Sequence, residues 1–182
     1  HARDYVEALR KAHVFVELDE RRRTMVERLR EAAAAAGGVL IEDAFLVEEN
    51  LSLVEEPQIV SGGFDEEFLK LPERVILDVA KGHQRYFGVR DAKGKLLPKY
   101  LAVVNTAENP ENVRRGNDRV MRARLADAKF FYETDLAMPL AERRSKLEGV
   151  VFHKRLGSVA DKVQRIERVV PLLGAELGLA DD

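Results

Sequence analysis

The chain has 182 residues, of which 46% are hydrophobic and 34% charged, and its formal net charge at pH 7 is −2. This length allows one ordinary domain with a buried core, and the near-neutral charge excludes a globally basic nucleic-acid binder, so any such role needs a local patch. The lack of cysteine excludes disulfides and thiolate metal sites and fits a cytoplasmic location. No apolar run approaches the roughly 18 residues of a membrane span, and no signal peptide is visible.

The first part of the chain alternates between helix-like and strand-like patterns. Apolar residues at helical spacing predict helices over Asp4–Ala12, Glu20–Ala36, Asp43–Glu55 and Pro72–Lys81. Alternating or β-branched runs predict strands over His13–Leu18, Val39–Ile41, Gln58–Gly63, Arg85–Arg90 and Tyr100–Thr106. The loop Asp91–Lys95 contains Gly94 and is typical of a hairpin connection.

The last part of the chain has a mainly helical pattern. We predict helices over Gly116–Glu133, Leu140–Phe152 and Ser158–Leu177, and Pro171 should bend or end the last of them. Helices and strands are mixed without a repeating βαβ rhythm, which favours an α+β fold with antiparallel strands. Strands cease near Asp135, so we expect an α+β domain over residues 1–135 and a helical segment over 136–182. The start without methionine and the unfinished amphipathic pattern at the end suggest an internal piece of a larger protein.

The segment Gly116–Glu133 carries a basic edge beside its apolar face. Spacings of four, three and seven residues place four cationic side chains along one side of the predicted helix. These residues are Arg115, Arg119, Arg122 and Lys129. Such an edge can follow the phosphates of a nucleic acid. It can equally be a solvated helix face paired with acids such as Asp118 and Asp127.

Arg124 falls inside the apolar arc of the same predicted helix, between Val120 and Ala128. An unpaired guanidinium in a protein core is costly, so a partner is expected. Asp127 follows three residues later and is the nearest local candidate. We therefore predict a structural ion pair between Arg124 and Asp127, with direct ligand contact as the alternative.

A second cluster follows the helix that ends near Lys81. His83 and Arg85 stand beside the aromatic residues Tyr86 and Phe87. Donors interleaved with aromatic rings can hold a phosphate and stack on a base, so His83 and Arg85 are further nucleic-acid candidates. The alternative is that the rings are core residues of a strand and that the histidine lies at a helix C-terminus, where cations are favoured.

No catalytic or metal-binding arrangement is visible in the sequence. The four histidines are scattered without metal-ligand spacing. There is no Walker-type loop and no GxGxxG, and Gly62–Gly63 alone is a turn signal. We therefore assign no catalytic residue, no metal site and no cofactor to this chain.

Three segments of the chain are distinctive: GHQRYFGVRDAKGKLLPKYLAVVNT (Gly82–Thr106), GNDRVMRARLADAKFFYETD (Gly116–Asp135) and FHKRLGSVADKVQRI (Phe152–Ile166). VEEPQIVSGGFDEEFLKLP (Val54–Pro72) gives weaker support. In order and with compatible spacing, these four segments resemble the beta subunit of the bacterial heterotetrameric glycyl-tRNA synthetase. Gly88 stands where proline is common in the family, and Tyr132 where tryptophan is common.

The resemblance implies a role in charging tRNA(Gly) without catalysis in this chain. In the family, the alpha subunit holds the aminoacylation site with ATP and magnesium, and the beta subunit recognises tRNA and joins an alpha2 beta2 complex. The implied partners are tRNA(Gly), the alpha subunit and the remainder of beta, with no membrane. The implied architecture is a domain similar to the B3/B4 module of phenylalanyl-tRNA synthetase, followed by the start of an HD-like helical domain.

Three hypotheses follow for this part of the family's beta subunit. In the first, the basic edge and the His83–Arg85 cluster contact tRNA. In the second, the chain is a structural module that scaffolds beta or docks on alpha without touching tRNA. The third is an editing-type hydrolase suggested by the B3/B4 likeness, but no catalytic set supports it, and glycine is small enough for steric exclusion to reject larger amino acids.

Overall fold

A computed structural model of the protein describes residues 4–105 and 108–179. The chain divides into two compact units, His1–Phe130 and Phe131–Asp182. Helices and a small antiparallel sheet occur together, which confirms the predicted α+β class. The division falls shortly before the predicted boundary at residue 135. The likeness of the two parts to B3/B4-like and HD-like domains stays a prediction.

The first unit contains a four-stranded antiparallel sheet with helices on both faces. Its strands are β1 (Val39–Leu40), β2 (Gln58–Gly63), β3 (Phe87–Arg90) and β4 (Leu96–Val104), in the spatial order β1-β3-β4-β2. Its helices are α1 (Tyr5–Lys11), α2 (Leu18–Ala35), α3 (Ala44–Leu51), α4 (Glu73–Gln84) and the long α5 (Pro110–Leu136), with a short 3-10 helix at Glu66–Lys70. The α5 helix continues past the end of the first unit.

One face of the sheet is covered by α2 and α3. The stripe Met25, Leu29 and Ala33 of α2 has no exposed surface and packs with Phe87 and Leu101 of the central strands. Spacings of four residues place the three α2 side chains on one helix face. The periodicity of this helix in the sequence therefore reports a genuine core contact.

The predicted strand at His13–Leu18 is wrong. The residues before α2 form no ladder, and α2 already begins at Leu18. Their backbone is satisfied in another way, because the amide of Phe15 donates to the carbonyl of Glu55 over 3.0 Å. The guanidinium of Arg21 in turn donates to the carbonyl of Phe15. Val14, Phe15 and Val16 are all partly buried and Leu18 is exposed, so burial in this segment does not follow the alternation of the sequence.

The other face of the sheet carries Tyr100, which alternates with Leu101 along β4. Tyr100 pairs with Gly88 of β3 and with Gly62 of β2, so a glycine flanks the tyrosine on each side. The α4 helix packs on β3 and β4, and Leu77 of α4 lies against Gly88. Two glycines thus leave space for a tyrosine and for a closely packed helix.

The turn from α4 to β3 depends on a buried asparagine. Arg85 caps α4 in the left-handed conformation, with φ of 55°, which is unusual for a residue with a side chain. Asn50 of α3 is 4% exposed, and its amide nitrogen donates to the carbonyl of Arg85 over 3.2 Å and to that of Leu46 over 2.9 Å. Asn50 thereby joins α3 to the C-terminal end of α4.

The α5 helix is attached to the sheet through the carboxylate of Asp118. This carboxylate accepts hydrogen bonds from the amide of Gly63 (3.0 Å), the hydroxyl of Tyr100 (2.7 Å) and the guanidinium of Arg114 (2.7 Å). The ring of Tyr100 stacks on Tyr86 with centroids 4.5 Å apart. Burial, and then the hydrogen bond to Asp118, raises the pKa of Tyr100 above its ordinary value. Burial and the negative charge of Asp118 raise the pKa of Tyr86 to about 12.

The second unit, taken by itself, is a small helical and hairpin arrangement. It contains a 3-10 helix (Leu140–Gly149), the hairpin β5 (Val151–His153) and β6 (Gly157–Ser158), and α6 (Val159–Glu176). The predicted helix over Leu140–Phe152 is therefore wrong in its type and in its last residues. The α6 helix begins with a capping box between Ser158 and Asp161. It continues through Pro171, so of the two predicted effects of this proline, a bend or an end, the end is wrong and the bend stays a prediction.

We expect Gly62→Ala to destabilise the protein by about 2 to 3 kcal/mol, because the added methyl group would overlap the Tyr100 hydroxyl and crowd the Asp118 carboxylate. The measurement is the free energy of unfolding in urea. Gly82→Ala is the matched control, since a methyl group there meets no atom within 4 Å and lies in α4. The control should be neutral or slightly stabilising. Equal effects of the two substitutions would contradict the packing described around Tyr100.

The raised pKa values of Tyr86 and Tyr100 also predict an alkaline effect on stability. The folded state keeps these protons above the ordinary tyrosine pKa of about 10, so this contribution is complete below about pH 10 and is lost as the pH rises toward the folded pKa. In the folded protein, Tyr86→Phe/Tyr100→Phe should leave the phenolate absorbance that develops between about pH 9 and pH 11 almost unchanged. In denaturant the same substitutions should reduce it. A reduction in the folded protein would show that the two hydroxyls ionise normally.

Candidate nucleic-acid interface

The structure divides the predicted basic edge of α5 into two pairs. In the pair nearer the C-terminus, Arg122 lies 3.0 Å from Asp65 and Lys129 lies 3.1 Å from Glu67. Both acids belong to the short segment that leads into and forms the 3-10 helix Glu66–Lys70. These cations therefore connect α5 to a neighbouring element, as expected for a helix face neutralised by nearby acids.

The other two residues of the edge, Arg115 and Arg119, are exposed. Arg115 donates a hydrogen bond to the side-chain carbonyl of Asn112, which is uncharged. Within residues 4–105 and 108–179, neither Arg115 nor Arg119 has a carboxylate within ion-pair distance. The charge of Glu111 also acts on Arg115, since the pKa of that carboxyl is lowered mainly by Arg114 and in part by Arg115. Neither guanidinium is held in a direct ion pair, so both can bind an external anion.

Arg124 does not lie in the core, and the predicted ion pair with Asp127 is wrong. Both side chains are exposed, and the described parts of the chain contain no salt bridge between them. The buried stripe of α5 is centred on Met121 and Leu125, which have no exposed surface, whereas Val120 is 40% exposed. Only one side of the helix meets the sheet, so the buried arc is narrower than the apolar arc of the sequence and leaves Arg124 outside it.

The second cluster, at the end of α4, is mainly structural. Tyr86 and Phe87 are 7% and 1% exposed, so their rings are not available for stacking on a base. His83 is exposed, and the guanidinium of Arg85 lies 3.6 Å from the carboxylate of Glu49. The structure therefore supports the interpretation that the two rings are core residues, and not the one in which they stack on a base.

Two cations that the sequence did not single out lie beside the basic edge. Lys99 of β4 and Arg114 of α5 line a groove of about 420 Å³ together with Arg122. The remaining lining residues are Ser61, Gly62, Gly63, Phe64, Asp65 and Asp118. Arg114 has a local signal, since it lies four residues before Asp118 on the same helix. Lys99 has none, because only the pairing of β2 with β4 places it next to Gly63.

The arrangement provides donors for an anion. Among the described residues, no group of three or more histidines and acids is placed to hold a metal ion. The same residues include no helix long and apolar enough to cross a membrane. Guanidinium and ammonium groups on an exposed helix edge and an adjoining groove suit phosphate binding.

Comparison with known proteins gives one consistent family. The family described as glycyl-tRNA synthetase beta subunit matches residues 1–181. The glycine–tRNA ligase beta subunit of Myxococcus xanthus is 45% identical over 180 residues, which cover 98% of this chain and 26% of the relative. That of Listeria monocytogenes is 44% identical over 171 residues, covering 93% and 25%.

A plant relative extends the comparison beyond bacteria. The chloroplastic/mitochondrial glycine–tRNA ligase 2 of Arabidopsis thaliana is 38% identical over 182 residues, which cover 100% of this chain and 17% of the relative. The chain spans about a quarter of the length of the bacterial relatives that it matches. The match over almost all of its residues confirms the resemblance carried by Gly82–Thr106 and Gly116–Asp135. The chain belongs to the glycyl-tRNA synthetase beta subunit family.

Proposed function

We propose that this chain is a part of a glycine–tRNA ligase that contacts tRNA(Gly) and contributes to assembly with the alpha subunit, thereby supporting ATP-dependent charging of the tRNA. The relatives are named as glycine–tRNA ligases, and the bacterial ones as beta subunits, which supports the proposal that this chain is part of such a ligase. ATP and magnesium belong to the alpha subunit in this proposal. The chain itself provides binding surface, has no catalytic role, and acts in the cytoplasm.

The exposed pair Arg115 and Arg119 carries the proposal. Most other arginines of the first unit lie close to a carboxylate or donate to a backbone carbonyl, as Arg22 does to Glu48 and Arg28 to Pro57. An arginine that is exposed and makes no direct ion pair can bind a phosphate without first breaking one. Two such residues four positions apart on a helix can contact successive phosphates of a backbone.

Arg122 and Lys129 extend the same edge, but Asp65 and Glu67 compete for them. Exposed ion pairs contribute only about 0 to 1 kcal/mol, so a nucleic acid can displace these acids at small cost. His83 and Arg85 remain proposed contacts of lower rank, since Arg85 lies near Glu49 and the neighbouring rings are buried.

A purely structural role is the second candidate, and the apolar face of α6 favours it. Ile166, Val169, Val170 and Leu173 are each about half exposed, between 48% and 57%. They recur at three and four residues and line one side of the helix together with Phe152. Exposed apolar stripes of this kind mark contacts with other protein surface. The two candidate functions use different residues and are therefore separable.

We expect Arg115→Glu/Arg119→Glu, made in the complete synthetase, to weaken tRNA(Gly) binding about tenfold or more, because two attractive interactions with phosphates become repulsive. The dependence of log K on log salt should become shallower by roughly 0.7 to 0.9 for each phosphate that the variant no longer neutralises. Filter binding over a range of salt concentrations measures both quantities. Lys11→Glu/Arg74→Glu is the matched control, because it changes the net charge equally at two exposed residues paired within their own helices.

Size-exclusion chromatography with the alpha subunit separates the two candidates. Normal assembly together with weakened tRNA binding supports the tRNA contact. Unchanged tRNA affinity and an unchanged salt slope in the Arg115→Glu/Arg119→Glu complex would rule it out and leave the structural role.

A further inference from the structure

The groove beside α5 has several cationic residues in its lining. Gly62 and Gly63 form part of its wall and carry no side chains. Its lining includes the three cationic residues Lys99, Arg114 and Arg122 and the two acidic residues Asp65 and Asp118. The glycines themselves make room for the Tyr100 hydroxyl and the Asp118 carboxylate, so the groups available to a phosphate are the cationic side chains.

The two carboxylates of the groove differ in how firmly they are held. Asp118 accepts from Gly63, Tyr100 and Arg114, so both of its oxygens are used and its charge is balanced inside the fold. Asp65 contacts Arg122 over 3.0 Å and 3.4 Å, and its side chain is 50% exposed. The Asp65–Arg122 pair is therefore the exchangeable one.

The three cations also have distinct states. Arg114 is fixed between Asp118 and Glu111, with distances of 2.7 Å and 2.6 Å. Lys99 is exposed, and no carboxylate within residues 4–105 and 108–179 lies at ion-pair distance from it. Removal of Asp65 from Arg122 would leave Lys99 and Arg122 in the lining of the groove without an acidic partner, beside Arg114, which Asp118 and Glu111 hold.

We propose that this groove is a phosphate subsite for a nucleic-acid backbone, in which Lys99 and Arg122 bind one phosphodiester and Asp65 occupies the position of that phosphate in the free protein. A phosphodiester offers Arg122 the same two-oxygen acceptor geometry as the carboxylate of Asp65 and also reaches Lys99. On binding, Arg122 exchanges the carboxylate of Asp65 for the phosphodiester, and Lys99 adds a second contact to the phosphodiester. Asp65 thus competes with the ligand, and its removal strengthens binding.

This subsite rests on the proposed tRNA contact, and the complete synthetase provides the test. Asp65→Asn should increase tRNA(Gly) affinity about threefold to tenfold, and Lys99→Ala should decrease it by a similar factor. Asp78→Asn is the matched control for the first, since Asp78 pairs with Arg74 at 2.9 Å and is 59% exposed. Lys93→Ala, in the exposed β3–β4 loop, is the control for the second. Unfolding midpoints verify that each variant is folded.

The possible results discriminate between the subsite and the function on which it rests. If Asp65→Asn and Lys99→Ala match their controls while Arg115→Glu/Arg119→Glu weakens binding, the subsite is wrong and the tRNA contact stands. If none of these variants alters affinity, the proposed tRNA contact fails as well. A lower affinity of Asp65→Asn would mean that Asp65 positions Arg122 for binding, which overturns its role as a competitor.

Inorganic pyrophosphate distinguishes a backbone phosphate from a small free phosphate compound. At constant ionic strength, excess pyrophosphate should leave the difference in tRNA affinity between the Lys99→Ala variant and the unsubstituted complex intact. If pyrophosphate abolishes this difference, the groove takes a small phosphate ligand and its assignment to a nucleic-acid backbone is overturned.

Discussion

The attachment of α5 to the sheet depends on a single carboxylate that satisfies three donors at once. Asp118 holds the amide of Gly63, the hydroxyl of Tyr100 and the guanidinium of Arg114. A partly buried carboxylate is stable only when its hydrogen-bonding capacity is used. The contact requires that position 62 lack a side chain, because any Cβ would occupy the space of the tyrosine hydroxyl. It also sets the rotation of α5, and hence which of its cations reach solvent.

This rotation explains why one row of cations has two physical roles. Met121 and Leu125 point into the unit and have no exposed surface, so the basic edge lies to one side of them. Its C-terminal part comes near the acids that lead into and begin the 3-10 helix and is neutralised there. Arg115 and Arg119 lie further toward the N-terminus, where the described residues offer no carboxylate at ion-pair distance. A cation with a carboxylate at ion-pair distance stabilises the fold, whereas a cation without one is available to a ligand, whatever the net charge of the chain.

Sequence reasoning found the basic edge because helical spacing alone places its members on one side. It missed Lys99, which lines the same groove as Arg122. The place of Lys99 depends on the pairing of β2 with β4, whose residues are far apart in the chain. It misplaced Arg124, because the apolar arc of a sequence gives the largest part of a helix that could be buried. The sheet beside α5 buries a smaller part of the helix, and Arg124 lies outside it. The sequence of Tyr86 and Phe87 is compatible with a stacking platform and with a strand core, and the folded structure shows that both rings are buried.

The sequence by itself determined the family, the α+β class and the existence of most helices and strands. Motifs such as those in Gly82–Thr106 are local strings, and helical or alternating periods are local properties of the chain. Tertiary structure decided that the segment before α2 is not a strand, that Asp118 joins helix to sheet, and which cations have acidic partners. Hydrogen bonds and ion pairs between residues 55 or more positions apart, such as Gly63–Asp118 and Asp65–Arg122, depend on how the elements pack, which no local pattern encodes.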